Sequence, residues 1–293
     1  MLDNNLTPQP TNDDSYTFFS AEFGELFHSH SGAKQEAEYK FIEPCQLREK
    51  ASNQSTIRLL DICYGLGYNS AVALDAIWSI NPDCQTKLIA LENDRNVPLK
   101  TIEYQLLKSW PFPIPEYLEL LAKTHEIKNK KLDAKLLLGD ARQTIKTLVT
   151  REFKADAIFL DPFSPPKCPQ LWTVEFIQLI AQCLHKDGYL ATYSCAASVR
   201  KALQLSGLSI GATRSVGRRS PGTVANWTGS NLPPLSQQER EHLQTRAAIP
   251  YRDPSLQDST EIIHQRRQIE QNMSSLEPSS QWKKRWIRKI PLT

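Results

Sequence analysis

The residues best suited to chemistry are Asp161-Pro162-Phe163-Ser164-Pro165-Pro166-Lys167, set between the apolar run 155–160 and the helical spacing of 174–184. The run reads as a buried strand. The acid, the proline and the ring therefore sit at a strand's carboxyl end, where open α/β sheets bind ligands. There a carboxylate and the neighbouring backbone carbonyl can hold an amine while the ring stacks on the flat group that bears it. Alkylation of nitrogen is the chemistry this suits. A proline-rich loop after any sheet strand is the plain alternative, and the other motifs decide between the two.

Asp61-x-x-x-Gly65-x-Gly67 also follows an apolar run and opens a helical pattern. Glycines there let the backbone turn sharply and come close to a ligand. Glu92 ends the next predicted strand, placed to accept from both hydroxyls of a ribose. Asp140 ends the third, within reach of an adenine amino group, with the Ala141 amide as a second contact to the ring edge. A dinucleotide needs a third glycine beside its pyrophosphate, and Ser70 holds that place. NAD and FAD are disfavoured on that ground. Three strand-end acids with a Gly-x-Gly turn suit S-adenosylmethionine better.

Alternating strand and helix patterns must position these residues. Strands are predicted at 57–63, 87–91, 134–138, 155–160 and 188–193, with a closing hairpin at 208–216 and 223–227. Helices are predicted at 70–80, 97–110, 114–126, 141–149, 174–184 and 196–205. The order is that of an α/β protein with a mostly parallel sheet covered on both faces. Residues 1–15 are polar and expected to be disordered, 16–56 to form a small N-terminal cap, and 57–230 the sheet domain. The polar extension 231–293 is expected to wrap the surface, with helices near 235–245 and 261–272.

At 293 residues, 40% hydrophobic and 23% charged, the composition is that of an ordinary globular protein. No apolar run approaches the roughly 20 residues that span a bilayer, and the acidic N-terminus resembles no signal or transit peptide. A cytoplasmic location without membrane contact is expected. The six cysteines form no CxxC pair and read as reduced core residues. His28 and His30 lack a third ligand, so no metal is expected. The net charge of +3 implies no nucleic acid by itself, but its distribution is uneven. Arg214, Arg218 and Arg219 share one loop, while Lys283, Lys284, Arg285, Arg288 and Lys289 flank Trp282 and Trp286. Cations interleaved with aromatics suit a phosphate backbone with stacking bases; a solvated charged tail is the alternative.

Taken in order, Phe18-Phe19-Ser20, Gln35-Glu36-Ala37-Glu38-Tyr39, Asp61-x-x-x-Gly65-x-Gly67-x-Asn69, Gly139-Asp140-Ala141 and Asp161-Pro162-Phe163-Ser164-Pro165-x-Lys167-x-Pro169-x-Leu171-Trp172 resemble one family. It is the methyltransferase domain of the MnmC-type tRNA 5-methylaminomethyl-2-thiouridine biosynthesis proteins, in its stand-alone form. The resemblance covers about 18–216. It departs from the family at Gly217-Arg218-Arg219-Ser220-Pro221-Gly222, where a longer basic run is usual, and in the tail after Trp227. It implies a Rossmann-like class I methyltransferase with a seven-stranded sheet, S-adenosylmethionine as cofactor, and methylation of the aminomethyl nitrogen on a tRNA wobble uridine. Cofactor contacts are then expected from Asp61, Tyr64, Gly65, Gly67, Asn69, Glu92, Asn93, Asp140 and Ala141. Asp161, Pro162 and Phe163 are the expected catalytic residues. Phe19, Ser20, Glu36, Lys167, Trp172, Arg218 and Arg219 are expected to meet substrate. The family's oxidoreductase half is not expected in this chain, so a separate oxidoreductase or an upstream tRNA-modifying enzyme would be a partner beside tRNA.

A primary alkylamine has a pKa of about 10.4 and arrives protonated. Burial and a nearby sulfonium favour loss of that proton, whereas a carboxylate opposes it. Asp161 is therefore expected chiefly to orient the amine, with general-base action secondary. Phe163 and Trp172 can stack on uracil and Lys167 can meet a phosphate. For Trp172, capping its helix against the core is an equal alternative. Two other functions stay open on sequence alone. A spermidine-synthase-like aminopropyltransferase shares the Gly-Asp-Ala turn, but Lys167 and the Cys-Tyr-Gly-Leu-Gly turn disfavour a polyamine. A non-catalytic RNA-binding protein on the same fold is disfavoured by the intact Asp61, Glu92, Asp140 and Asp161 set.

Overall fold

A computed structural model describes residues 6–215 and 220–287. Its N-terminal segment is two short hairpins, β1 (Gln9–Pro10) with β2 (Tyr16–Thr17) and β3 (Phe19–Ser20) with β4 (Glu25–Leu26). Residues 6–15 are thus ordered, contrary to the sequence expectation. Leu6 is buried, and the Asp13 carboxylate accepts from Ser15 and from the Gln35 amide (2.8 Å). The acid that read as a disorder signal instead ties the segment to the first helix. Gly32 makes this possible: a Cβ there would lie 2.0 Å from Asp13 Cγ.

Helix α1 (Ala33–Ala37) runs through a π-helical turn, Glu38–Ile42, and α2 (Leu47–Asn53) follows. The main alternation is then β5 (Thr56–Ile62), α3 (Tyr68–Ile80), β6 (Gln85–Glu92), α4 (Asn96–Glu103), α5 (Ile114–Thr124), β7 (Glu126–Lys128), β8 (Leu132–Leu138) and α6 (Ala141–Thr150). It continues with β9 (Ala155–Leu160), α7 (Val174–Gln182), β10 (Leu184–Thr192), α8 (Ala197–Leu205), β11 (Ser209–Ala212) and β12 (Thr223–Asn226). The extension carries α9 (Gln237–His242), α10 (Thr260–Met273) and α11 (Ser279–Ile287).

The sheet has eight strands in the order β11-β12-β10-β9-β5-β6-β8-β7, one more than expected. The added strand, β7, is antiparallel to β8; His125 in the left-handed region (φ 64°) ends α5 and turns the chain into it. Helix α4 is shorter than its apolar spacing implied, because Gln105 (φ 54°) breaks the helix while Leu106, Leu107 and Trp110 still pack into the core.

Each face of the sheet has its own core. Ile57, Leu59, Ala157 and Phe159 pack with α1, α2, α3 and α5, whereas Leu60, Ile62, Ile158 and Leu160 pack with α6, α7, α8 and α10. Connections leave β5 toward β6 and β9 toward β10. The strand order therefore reverses between β5 and β9, which opens the crevice where doubly wound sheets bind ligands.

Candidate active site

A cleft of about 830 Å³ occupies that crevice, walled by the ends of β5, β6, β8 and β9 and roofed by residues 20–30. Its size suits a small-molecule cofactor. The turn after β5 puts three residues in the left-handed region within five positions: Cys63 (φ 69°), Gly65 (φ 55°) and Gly67 (φ 80°). A Cβ on Gly67 would lie 2.6 Å from the Tyr64 hydroxyl, so the buried tyrosine packs where only glycine fits. Gly65 and Asn69 line the cleft, whereas Asp61, Tyr64 and Gly67 do not.

Asp61 is fully buried. Ser70 Oγ donates to its Oδ2 at 2.7 Å, and its Oδ1 has no hydrogen-bond partner among the described residues. Burial pushes its carboxyl up to about 7, with the charge of Glu92 adding to the rise and the Ser70 hydrogen bond opposing it. Glu92 accepts three backbone amides, from Gly65 (2.7 Å), Asn93 (2.7 Å) and Asp94 (2.9 Å). Loss of solvent at the cleft floor raises its pKa against those amides. Glu92 thus fixes the glycine turn to the end of β6 and faces the cleft beside Asn93.

Asp140 caps α6, its Oδ1 accepting from the Arg142 amide at 2.8 Å. Asp140 and Ala141 both line the cleft, next to Arg142. The strand-end acids of β6 and β8 share one cleft with Gly65, and their carboxylates supply acceptors that fit the nucleoside of S-adenosylmethionine.

On β9, Asp161 Oδ2 accepts from Asn69 Nδ2 at 2.8 Å, which ties the two signature loops together. The Pro162 carbonyl accepts from the Tyr193 hydroxyl (2.9 Å), and the Phe163 carbonyl from Trp172 Nε1 (2.9 Å). Trp172 is fully buried and off the cleft wall, so it braces the loop from below and cannot stack on a substrate base. The Phe163 ring is stacked on Phe23 at 4.3 Å and 17°, with Phe27 edge-on at 5.0 Å. Glu25 accepts from both the amide and the hydroxyl of Ser164, clasping the roof to the same loop.

Ser20 and Glu36 line the cleft, where Ser20 accepts the Phe23 amide and Glu36 accepts from Ser29. Lys167 is exposed at the rim. Phe19 is 46% exposed and lies off the cleft wall, so the structure does not bring it to the site. Arg218 and Arg219 lie outside the described residues. Sequence reasoning missed Phe23, Glu25, Phe27, Arg142 and Tyr193, and it missed Thr260 and Glu261 of the extension, which also line the cleft. The cluster Phe18, Phe19, Phe23 and Phe27 was the only local hint of a roof.

A family model described as S-adenosyl-L-methionine-dependent methyltransferase matches residues 99–228. The crystal structure of MnmC2 from Aquifex aeolicus superposes with a TM-score of 0.81 at 36% identity, covering 93% of this chain and 87% of that one. An uncharacterized protein of Methanocaldococcus jannaschii, MJ0670, is 33% identical over 254 residues, 84% of this chain and 67% of that protein. The tRNA 5-methylaminomethyl-2-thiouridine biosynthesis bifunctional protein MnmC of Paraburkholderia phymatum is 28% identical over 211 residues. That match covers 66% of this chain but 31% of the relative, so the chain spans about a third of the bifunctional protein's length.

Proposed function

The chain belongs to the MnmC methyltransferase family and is an S-adenosyl-L-methionine-dependent enzyme; on that premise we propose that it methylates the aminomethyl nitrogen of a wobble uridine in tRNA, giving 5-methylaminomethyl-(2-thio)uridine. The observation that carries the reading is the Asp161 carboxylate on the cleft wall, held by Asn69 at the start of α3, directly after the turn that bears Gly65. An acceptor amine at Asp161 is thereby set against the turn expected to hold the cofactor.

When bound, S-adenosyl-L-methionine supplies an electrophilic methyl group. The chain's own part is binding and alignment. Gly65, Glu92, Asn93, Asp140 and Ala141 would hold the nucleoside, and Asn69 sets the Asp161 carboxylate. Asp161 accepts a hydrogen bond from the amine, and the Pro162 carbonyl, stiffened by Tyr193, offers a second acceptor. The ammonium must first give up a proton, to water or secondarily to Asp161, so that the nitrogen lone pair can take the methyl group from the sulfonium and leave S-adenosylhomocysteine. A carboxylate stabilises ammonium, so Asp161 serves mainly to align, and alignment alone can account for a large share of the acceleration. Phe163, whose ring is stacked on Phe23, would meet the uracil, and Lys167 at the rim would meet a phosphate. Among the described residues no helix is long and apolar enough to cross a membrane.

The test is incubation with methyl-labelled cofactor and tRNA from cells lacking this methylation, followed by nucleoside analysis. Label in 5-methylaminomethyl-(2-thio)uridine supports the reading. Label in another nucleoside, or none in tRNA, overturns it.

A further inference from the structure

We infer that Arg142 and the C-terminal extension complete the purine end of the cofactor site, with Arg142 as the positioning residue that gives Asp140 its discrimination between an amino and a keto purine. This rests on the reading of Asp140 as the acid facing the cofactor's purine.

Arg142 follows two residues after Asp140 and grips it from the side. Its Nη2 donates to Oδ2 at 2.8 Å, and its Nε lies 3.2 Å and 3.1 Å from Oδ1 and Oδ2. With the helix-capping bond to Oδ1, every rotor of the Asp140 side chain is fixed although that side chain is 40% exposed. A planar guanidinium can do this; a lysine ammonium is a point charge and cannot.

The other arm of the same guanidinium reaches the extension. Arg142 Nη1 donates to Asp253 Oδ2 at 2.8 Å and to the Asp258 carbonyl at 2.9 Å. The Asp253 side chain is fully buried, so it depends on a charged partner. Its Oδ1 accepts from Ser255 and from the amides of Gln257 and Asp258, each at 3.2 Å. That turn delivers the chain to Ser259, which caps α10, and α10 begins with the cleft-lining Thr260 and Glu261. Two more bonds press α10 on the neighbouring loop, Gln170 Nε2 to Thr260 Oγ1 at 2.7 Å and His264 Nε2 with the Pro166 carbonyl at 2.9 Å. The extension is thus a wall of the site, and Arg142 joins it to the acid.

The specificity follows from the lone pairs of Asp140. An exocyclic amine can donate to the fixed carboxylate, whereas a keto oxygen in the same place meets only negative charge. A carboxylate free to swing could turn away from the keto group and relieve that penalty. Rigidity, rather than charge alone, makes the rejection effective.

The experiment compares binding of S-adenosylhomocysteine and S-inosylhomocysteine by calorimetry. The two differ at the exocyclic position, amino against keto, and at the adjoining N1, an acceptor in the first and an N–H donor in the second, so the change of their ratio between variants is the readout. Wild-type protein should prefer the adenine form by roughly tenfold or more, on the order of one charge-assisted hydrogen bond. Arg142→Lys keeps a positive charge beside Asp253 but removes the fork, and should cut the ratio to about threefold or less. Its KM for cofactor should rise while kcat stays within about twofold, since the Asp161 end is untouched. Asp253→Asn, which preserves shape, tests the extension's arm and should lower the ratio as well. Should Arg142→Lys fail to fold, Asp253→Asn decides. A wild-type ratio in the folded variants, or a fall in kcat at unchanged KM, overturns the inference. No affinity of the wild-type protein for S-adenosylhomocysteine would instead sink the cofactor assignment beneath it.

Discussion

Asp61 and Asp161 end adjacent strands, yet the protein surrounds them differently. Asp161 lines the cleft and accepts from Asn69, which fixes its carboxylate at the cleft wall. Asp161→Asn should leave the cofactor dissociation constant within a few-fold and lower single-turnover methyl transfer by about 10²-fold, because it removes alignment rather than binding area. Unchanged turnover in the purified variant would take Asp161 out of the reaction. Asp61 is buried with one unpartnered oxygen, and its carboxyl rises to about 7. An acid whose folded pKa lies above its unfolded value loses stability as pH climbs from the unfolded pKa, about 3.9, to the folded one, and stays at the lower level beyond it. Asn has no such titration. The melting temperature of Asp61→Asn relative to wild type should therefore improve between pH 4 and pH 7 and level off above. A difference that is flat with pH would show that Asp61 is not the group that titrates.

At the scale of elements, the site is a set of loops whose shapes depend on contacts of very different reach. Strand β9 was legible because both of its faces are covered: all six residues are buried and five of them are apolar, the exception being Asp156, whose carboxylate accepts from the Arg58 amide. The glycine turn was legible because its backbone demands glycine. Gly67→Ala would put a Cβ at φ 80° and 2.6 Å from the Tyr64 hydroxyl, with the ring carbon behind it at 2.8 Å. The left-handed conformation alone costs about 1–2 kcal/mol, and the tyrosine cannot yield far because it is buried. Chemical denaturation should show a loss of about 2 kcal/mol or more, together with weakened cofactor binding. Wild-type stability would mean the turn relaxes freely. The roof and the extension were not legible, for a physical reason. Glu25 meets Ser164 across 139 residues, and Arg142 meets Asp253 across 111. No local period encodes such pairs. Trp172 was ambiguous for the same reason, since an indole can brace a loop or stack on a base and only the burial around it decides.

At the scale of the whole molecule, the extension turns a polar tail into part of the fold, and this divides its charges into two kinds. Trp282 is buried and stacked on His242 at 4.1 Å, and Trp286 Nε1 donates to Glu241 at 2.9 Å. Arg285 is paired with both Glu241 and Glu277. These residues hold α11 on α9, so their charge is already matched within the protein. Lys283 and Lys284 are exposed, and neither forms an ion pair among the described residues; Arg288 and Lys289 lie outside those residues. Trp282→Ala should lower the melting temperature by several degrees, since truncating a packed tryptophan costs about 3–5 kcal/mol in a core and less at a domain edge. It should leave the salt dependence of tRNA binding unchanged wherever the variant is folded. Changing Lys283 and Lys284 together to Ala should do the reverse. Each phosphate no longer neutralised should flatten the log–log slope by somewhat under one unit, so the pair should lower it by up to about two units at unchanged melting temperature. Arg285→Ala should move the slope little, because its carboxylate partners already hold it. If the double lysine variant keeps the wild-type slope, this face of the extension does not meet the phosphate backbone, and α11 serves only to seal the fold.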